Sequence, residues 1–114
     1  MNCKITYSVT AIGFSRRDNN LLKCIFGLAN HPNRSYELSN GGLYKLADIA
    51  LVNIDDAYGI AVWDALQRIK PDVPVVMVAR EVLPDWHCYL VKYPFIANRL
   101  LNVLNKVNLK INNQ

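Results

Sequence analysis

Residues 47–78, ADIALVNIDDAYGIAVWDALQRIKPDVPVVMV, decide the fold. Residues 49–52 are four apolar residues in a row, which is long enough for a buried strand and too short for a helix. Residues 62–69 carry apolar side chains at the i, i+4, i+7 spacing of one helix face, and Pro71 then ends that helix. Residues 75–78 are a second apolar run without alternation, which is typical of a parallel strand covered on both faces. The stretch therefore predicts a strand–helix–strand unit with a right-handed crossover.

Length and composition predict one globular domain. The chain has 114 residues, of which 52% are hydrophobic, so it can bury a substantial core. We expect residues 1–108 to form the domain and residues 109–114 to be a polar tail or the start of a linker. The chain has no apolar stretch of membrane-spanning length and no signal-peptide pattern, which favours a cytoplasmic protein. The net charge of +4 permits an anionic partner without arguing for one.

The remaining elements follow from shorter patterns on either side of this unit. In chain order they are a strand over 4–14, a helix capped by Ser15 or Asp18, a short strand over 35–39, a turn at 40–42, one or two helical turns over 43–47, a loop with a short helix over 79–87, a strand over 88–92 and an amphipathic helix from residue 96 to 107. Strands that alternate with helices predict an α/β protein, a three-layer α/β/α sandwich around a five-stranded parallel sheet.

Functional residues of such a sheet collect at the carboxyl ends of its strands. In this chain those ends are predicted at residues 12–15, 53–58, 79–81 and 91–94.

Three segments, in this order, resemble the receiver domain of bacterial response regulators. They are ADIALVN at 47–53, RIKPDVPVVMVAR at 68–80, and YLVKYPF at 89–95 followed by the amphipathic helix. The last segment is similar to the lysine–proline–phenylalanine signature of that family. The resemblance implies a flavodoxin-like strand order 2-1-3-4-5 and a role in two-component signal transduction.

The residues that receivers use for phosphotransfer are mostly replaced. The family's acidic pair, which holds Mg²⁺, corresponds to Gly13 and Phe14. The phosphate-accepting aspartate corresponds to Asn53, whose amide is no phosphoryl acceptor, and the family's Thr or Ser corresponds to Ala79. These departures predict a degenerate receiver, or pseudo-receiver, with no metal site and no cofactor.

The family's lysine can be matched in two ways. Lys92 matches it in the strand, but Tyr93 is then inserted before Pro94; alignment on the proline places Tyr93 in the lysine position. With Lys92 included, the rim of the emptied pocket is predicted to comprise Gly13, Phe14, Asp55, Asp56, Ala79 and Lys92.

Asp55 and Asp56 leave a further reading open. A shift of the loop by two residues would bring one of them to the acceptor position and make the chain an active phosphoreceiver. Against this, the shift would place Asn53 inside the strand, and the partner acids for Mg²⁺ would still be missing. The ordinary interpretation is that one aspartate caps the following helix and the other is solvated.

Four cations are predicted on the same rim, and they suggest a ligand. Arg16, Arg17, Arg80 and Lys92 follow strands whose ends meet there, and a cluster of cations near helix N-termini suits a small anion such as a phosphate or nucleotide. The competing interpretation is that the arginines are solvated and pair with Asp18 or Asp55.

Aromatic residues near the end of the chain suggest an interaction surface. Trp86, Tyr89, Tyr93 and Phe95 cluster around the last predicted strand, and aromatics are enriched in interface cores. Such a surface would bind a partner protein or a second copy of the chain. The competing interpretation is that these rings fill the core between sheet and helix.

Other function classes find little support in the sequence. No nucleophile elbow, phosphate-binding glycine loop or Cys/His cluster occurs, so we do not expect an enzyme. No helix carries a basic stripe, so we do not expect this domain to bind nucleic acid directly. The first reading is a receiver-like module that works through protein contact, as the regulatory N-terminal domain of a transcriptional or motility regulator. A sensor of a small anionic ligand is the alternative.

Overall fold

Strands and helices alternate along the part of the chain that the computed structural model describes, residues 5–28, 33–39, 48–69, 71–81 and 89–112. The elements are β1 (Ile5–Ile12), α1 (Arg16–Leu28), β2 (Arg34–Leu38), β3 (Ile49–Asn53), α2 (Ala57–Ile69), β4 (Val75–Ala79), β5 (Tyr89–Lys92) and α3 (Ala97–Asn112). The predicted turn at 40–42, the helical turns at 43–47 and most of the loop over 79–87 lie outside the described residues.

The five strands form one parallel sheet in the order β2-β1-β3-β4-β5. Val9 of β1 pairs with Ile49 of β3, Asn53 of β3 with Val78 of β4, and β4 with β5 as far as their last residues. The predicted fold class and the strand order 2-1-3-4-5 are therefore confirmed. Since all strands run the same way, their carboxyl ends meet at one edge of the sheet.

Two hydrophobic clusters, one on each face of the sheet, make the three layers. On one face Ile49 and Leu51 of β3 lie in a large cluster with residues of α1 and α3, including the fully buried Leu104. On the other face Ala50 and Val52 pack with Leu66 of α2. This alternation follows the two-residue period of a strand. The apolar run 49–52 reads as continuous because both faces are covered.

The last helix extends beyond its predicted end. Helix α3 continues to Asn112, so residues 109–112, which we expected in a polar tail or linker, are helical in their backbone. No proline or glycine occurs between residues 97 and 112, and asparagine and lysine are tolerated on a helix, so nothing in the sequence ends it earlier. The proposed domain boundary at residue 108 remains a prediction.

Two smaller observations complete the description. Cys24 is an exposed free thiol on α1, and it lies on the solvent side of a helix that buries Leu22 and Ile25. Within the described ranges, no helix is long and apolar enough to cross a membrane.

Candidate functional site

A cleft of about 630 Å³ lies where β1, β3, β4 and β5 end, and we call it the acceptor cleft. It contains the position at which the receiver resemblance places the phosphoryl acceptor. Its described lining residues are Gly13, Phe14, Ser15, Asp18, Asn53, Asp55, Asp56, Tyr58, Arg80 and Tyr93.

Asn53 is the last residue of β3, and both ends of its amide are hydrogen-bonded. Its Nδ2 donates to the carbonyl oxygen of Gly13 at 3.0 Å, and its Oδ1 accepts from the backbone N–H of Asp55 at 3.1 Å. The first bond joins the ends of β1 and β3, and the second fixes the first turn of the following loop. The predicted register, with Asn53 at the end of the strand, agrees with this geometry.

Two glycines allow β1, β3 and α2 to approach closely beside Asn53. Gly13 has a φ of +83°, and a Cβ there would lie 2.9 Å from Cα of Gly59. A Cβ on Gly59 would stand against the carbonyl oxygen of Asn53. No side chain fits at residue 13 without a backbone shift, so the position of the family's first acidic residue is closed by packing.

The three carboxylates of the cleft each accept a hydrogen bond from the chain itself. Asp56 accepts from the backbone N–H of Gly59 at 2.9 Å and so caps α2. Asp55 accepts from the backbone N–H of Arg80 at 2.8 Å, which ties the loop after β3 to the end of β4. Asp18 accepts from the hydroxyl of Tyr93 at 3.2 Å.

These bonds give Asp55 and Asp56 structural roles, and the same residues test the fit to Mg²⁺. The capping role expected for one aspartate falls to Asp56, while Asp55 holds the loop rather than being merely solvated. Among the described residues, no group of three or more His, Cys, Asp or Glu is placed to hold a metal ion. The residues present at the family's metal site therefore do not fit Mg²⁺.

Tyr93, rather than Lys92, reaches the acceptor cleft. The backbone N–H of Tyr93 donates to the carbonyl of Ala79 at 2.8 Å, which carries the β4–β5 pairing one residue past Lys92. The guanidinium carbon of Arg80 lies 5.5 Å from the centre of the Tyr93 ring, a cation–π contact. Successive side chains of a strand point to opposite faces, so Lys92 is exposed and absent from the lining. The placement of Lys92 on the pocket rim is corrected in favour of Tyr93.

Ala79 is buried at the end of β4, but it is not part of this lining. It lines a separate, mostly apolar cleft with Ile54, Ile60 and Trp63 of the loop and helix that follow β3. Ala79, which was predicted on the rim of the pocket, thus faces the α2 side of the sheet.

The aromatic residues after β5 point largely inward. The ring centres of Phe14 and Phe95 are 5.5 Å apart, and those of Tyr93 and Phe95 are 5.7 Å apart. Together with Tyr89, these half-buried rings pack against the cluster beneath α1 and α3. This arrangement agrees with the interpretation that each of these rings fills the core between the sheet and the helices. Trp86, the other predicted interface residue, lies outside the described residues.

A second cleft, of about 720 Å³, opens on the other side of Gly13, Phe14 and Tyr58, and we call it the α1 cleft. Arg16 lines this cleft, whereas Arg80 lines the acceptor cleft, and Arg17 lines neither. The four predicted cations are therefore not gathered at one rim. The sequence analysis missed Lys23, which lines the α1 cleft and lies seven residues after Arg16, on the same helix face.

Comparison with known proteins supports the fold. No family model matches the chain, and no curated protein matches it. Among solved structures, the chemotaxis protein CheY4 of Vibrio cholerae is similar with a TM-score of 0.68 and 14% identity, over 92% of this chain and 99% of that one. A putative pilus assembly protein (cpaE) of Burkholderia thailandensis has a TM-score of 0.60 at 14% identity, over 91% and 98%. A response regulator receiver protein of Sinorhizobium medicae has a TM-score of 0.57 at 14% identity, over 91% and 94%. The chain therefore has the fold of response-regulator receiver domains.

Proposed function

We propose that this chain is a receiver-like signalling domain that does not accept a phosphoryl group and acts through contact with another protein. The observation that carries the proposal is the amide of Asn53 at the end of β3. It stands at the acceptor position and is held between Gly13 and Asp55. An amide offers no carboxylate oxygen for transfer, and this one is already used to join two strand ends.

The surroundings of Asn53 support the same reading. Phosphoryl transfer depends on positioned charge that neutralises the transferred group, usually through Mg²⁺. Gly13 and Phe14 supply no acid, and Phe14 instead packs on Phe95 at 5.5 Å. The cleft carboxylates at residues 18, 55 and 56 each accept an internal hydrogen bond. Hydrogen bonds within the chain thus take the place of a metal and a phosphate.

The third reading, an active phosphoreceiver, would need Asp55 or Asp56 as acceptor. Phosphorylation of Asp56 would compete with the cap on α2, and phosphorylation of Asp55 would compete with its bond to the Arg80 N–H. Each bond uses one carboxylate oxygen, and phosphorylation of the other oxygen would remove the delocalised negative charge that strengthens the bond.

The proposal is tested by NMR of the labelled chain with Mg²⁺ and beryllofluoride, which mimics an acyl phosphate. We expect no Mg²⁺-dependent shifts at Asn53, Asp55, Asp56 or Arg80. Acetyl phosphate followed by intact-mass measurement should add no phosphoryl group. Mg²⁺-dependent shifts at these residues, or a phosphorylated mass, would contradict the proposal.

The output of the domain is proposed to be a protein contact, either with a partner or with a second copy. The structural neighbours named as a chemotaxis protein and a putative pilus assembly protein support a regulator of motility, whereas a transcriptional regulator is proposed from the receiver resemblance alone. Tyr93 and Phe95 pack inward, and the described residue Ile96, next in the chain, is apolar and 50% exposed. Loss of self-association or partner binding on Ile96→Asp, measured by analytical ultracentrifugation or pull-down, would support this surface.

The proposed location in the cell and the proposed lack of enzymatic activity follow from the same analogy to receiver domains. Receiver domains work in the cytoplasm as binding modules rather than as enzymes, and we propose both properties for this chain. The alternative function, a sensor of a small anionic ligand, is favoured by one observation outside the acceptor cleft, the charge of the α1 cleft.

A further inference from the structure

The two neighbouring clefts differ in the sign of their charges. The described lining of the acceptor cleft contains three carboxylates and one arginine. The described lining of the α1 cleft contains Arg16 and Lys23 and no carboxylate. A volume of about 720 Å³ is within the range of small-molecule sites.

The polar groups of the α1 cleft are arranged along one side of α1. Arg16, Asn19, Asn20 and Lys23 all line it and recur at the spacing of a single helix face. Arg16 and Lys23 are seven residues apart, a rise of about 10 Å along the helix axis. Both side chains are exposed, so an anion can reach them. The cleft also lies beside the amino end of α1, where the helix dipole favours negative charge.

Asn19 fixes the geometry of this end of the helix. Its Nδ2 donates to the carbonyl oxygens of Phe14 and Ser15 at 3.4 and 3.1 Å, and Ser15 in turn caps the helix through a 3.1 Å bond from the N–H of Asp18. The first turn of α1 is therefore held in place before any ligand arrives, which lowers the entropy cost of binding.

The opposite wall is aromatic and aliphatic. Tyr58 is 70% exposed and lines the cleft, as do Phe14, Leu38 and Val62. An exposed aromatic ring beside a cationic helix face suits a ligand that has a flat ring at one end and phosphate at the other. We propose that the α1 cleft binds a mononucleotide, with its phosphates at Arg16 and Lys23 and its base against Tyr58.

This site would give the domain an input that does not require phosphorylation. Gly13, Phe14 and Tyr58 line both clefts, so a nucleotide in the α1 cleft would contact the wall of the acceptor cleft and would join α1 to α2. The inference does not depend on whether Asn53 or its neighbours accept a phosphoryl group, because none of those residues lines the α1 cleft.

The test is calorimetric titration of the 114-residue chain with ADP and GDP, with pyrophosphate and adenosine as the two separated halves of ADP. At least one nucleotide should bind, and each half should bind more weakly than the whole. Arg16→Gln combined with Lys23→Gln should weaken binding about tenfold or more, because two charged contacts are lost. Tyr58→Ala should weaken it about fivefold or more, because base stacking is lost.

Two exposed arginines outside the α1 cleft provide matched controls. Arg17→Gln and Arg68→Gln remove the same charge and should leave nucleotide binding unchanged. The proposal is wrong if neither nucleotide gives heat or amide shifts at millimolar concentration. It is also wrong if pyrophosphate binds as tightly as ADP, or if Arg17→Gln weakens binding as much as Arg16→Gln does. The beryllofluoride experiment tests only the acceptor cleft. The proposal on phosphorylation and the proposal on nucleotide binding can therefore fail independently of each other.

Discussion

The acceptor cleft and the α1 cleft share a wall, yet their polar groups are used differently. In the acceptor cleft the amide of Asn53 and the carboxylates of Asp18, Asp55 and Asp56 are all hydrogen-bonded within the chain. In the α1 cleft Arg16 and Lys23 lie exposed at the surface, and Asn20 lines the same exposed helix face. The contrast indicates that the first cleft holds the strand ends together, whereas the second leaves polar groups for a ligand.

Hydrogen bonds between the strand ends and the loops that follow them hold this edge of the sheet together. Here Asn53 ties β1 to β3, Asp55 ties the β3 loop to β4, and Tyr93 ties the segment after β5 to α1. Each link joins elements that the apolar core alone would leave free to separate at their ends.

The largest expected effect on stability is at Gly59, which packs against Gly13 in the wall that the two clefts share. Gly59→Ala places a methyl group against the Asn53 carbonyl oxygen, close to Gly13, and should destabilise the protein by about 2–3 kcal/mol because packed backbone must move. Urea denaturation measures this change. Gly27→Ala in α1 is the control: a Cβ there meets nothing within 4 Å, and alanine should stabilise the helix by up to about 1 kcal/mol. Equal effects of the two changes would mean that the wall is not closely packed.

The next effect tests the structural use of the acceptor position. Asn53→Asp keeps an oxygen for the Asp55 N–H but loses the donor to Gly13, so it should cost about 1–2 kcal/mol. It should also remain silent to Mg²⁺ and beryllofluoride in NMR, because the acidic pair is still absent. Asn102→Asp, on the exposed side of α3, is the control and should change stability by less than about 0.5 kcal/mol. A beryllofluoride response of Asn53→Asp would show that only the acceptor had been lost.

A smaller effect is expected at the link between β5 and α1. Tyr93→Phe removes the bond to Asp18 while keeping the ring beside Arg80 and Phe95, and should cost about 0.5–1 kcal/mol. Tyr36→Phe is the comparison, because the hydroxyl of this buried residue donates to Oδ1 of Asn105 at 2.7 Å, and its loss should cost somewhat more, about 1–1.5 kcal/mol. Both values come from thermal or urea unfolding. A larger loss for Tyr93→Phe would make the acceptor cleft, rather than the core, the more sensitive site.

The smallest effect on stability is expected at an exposed ion pair of α2, which serves as a reference for the other changes. Asp64→Asn removes the 3.0 Å ion pair with Arg68 on α2, whose side chains are 60% and 80% exposed. An exposed i, i+4 pair is worth about 0.5 kcal/mol or less, so stability measured in moderate salt should hardly change. If Asp64→Asn lost as much stability as Asn53→Asp, an exposed ion pair and a hydrogen bond of the acceptor cleft would contribute equally to the free energy of unfolding.

Much of the architecture could be predicted from local patterns. The apolar runs of β3 and β4 and the helix between them are where the sequence placed them, and Ser15 caps α1 as expected. Such patterns suffice because burial on one or both faces imposes a period on neighbouring residues. Element ends were less certain, as α3 shows, because an exposed polar segment is compatible with helix and with tail alike.

The sequence by itself therefore determined the sheet, its helices and the position of Asn53 at the end of β3. Tertiary structure decided that Tyr93 rather than Lys92 faces the cleft, that Asp56 caps α2 while Asp55 holds Arg80, and that Arg16 and Arg80 lie in different clefts. The deciding contacts join residues far apart in the chain, 40 positions for Asn53 and Gly13 and 75 for Tyr93 and Asp18. No local period encodes such pairs, because they depend on how strand ends and helix starts are packed together.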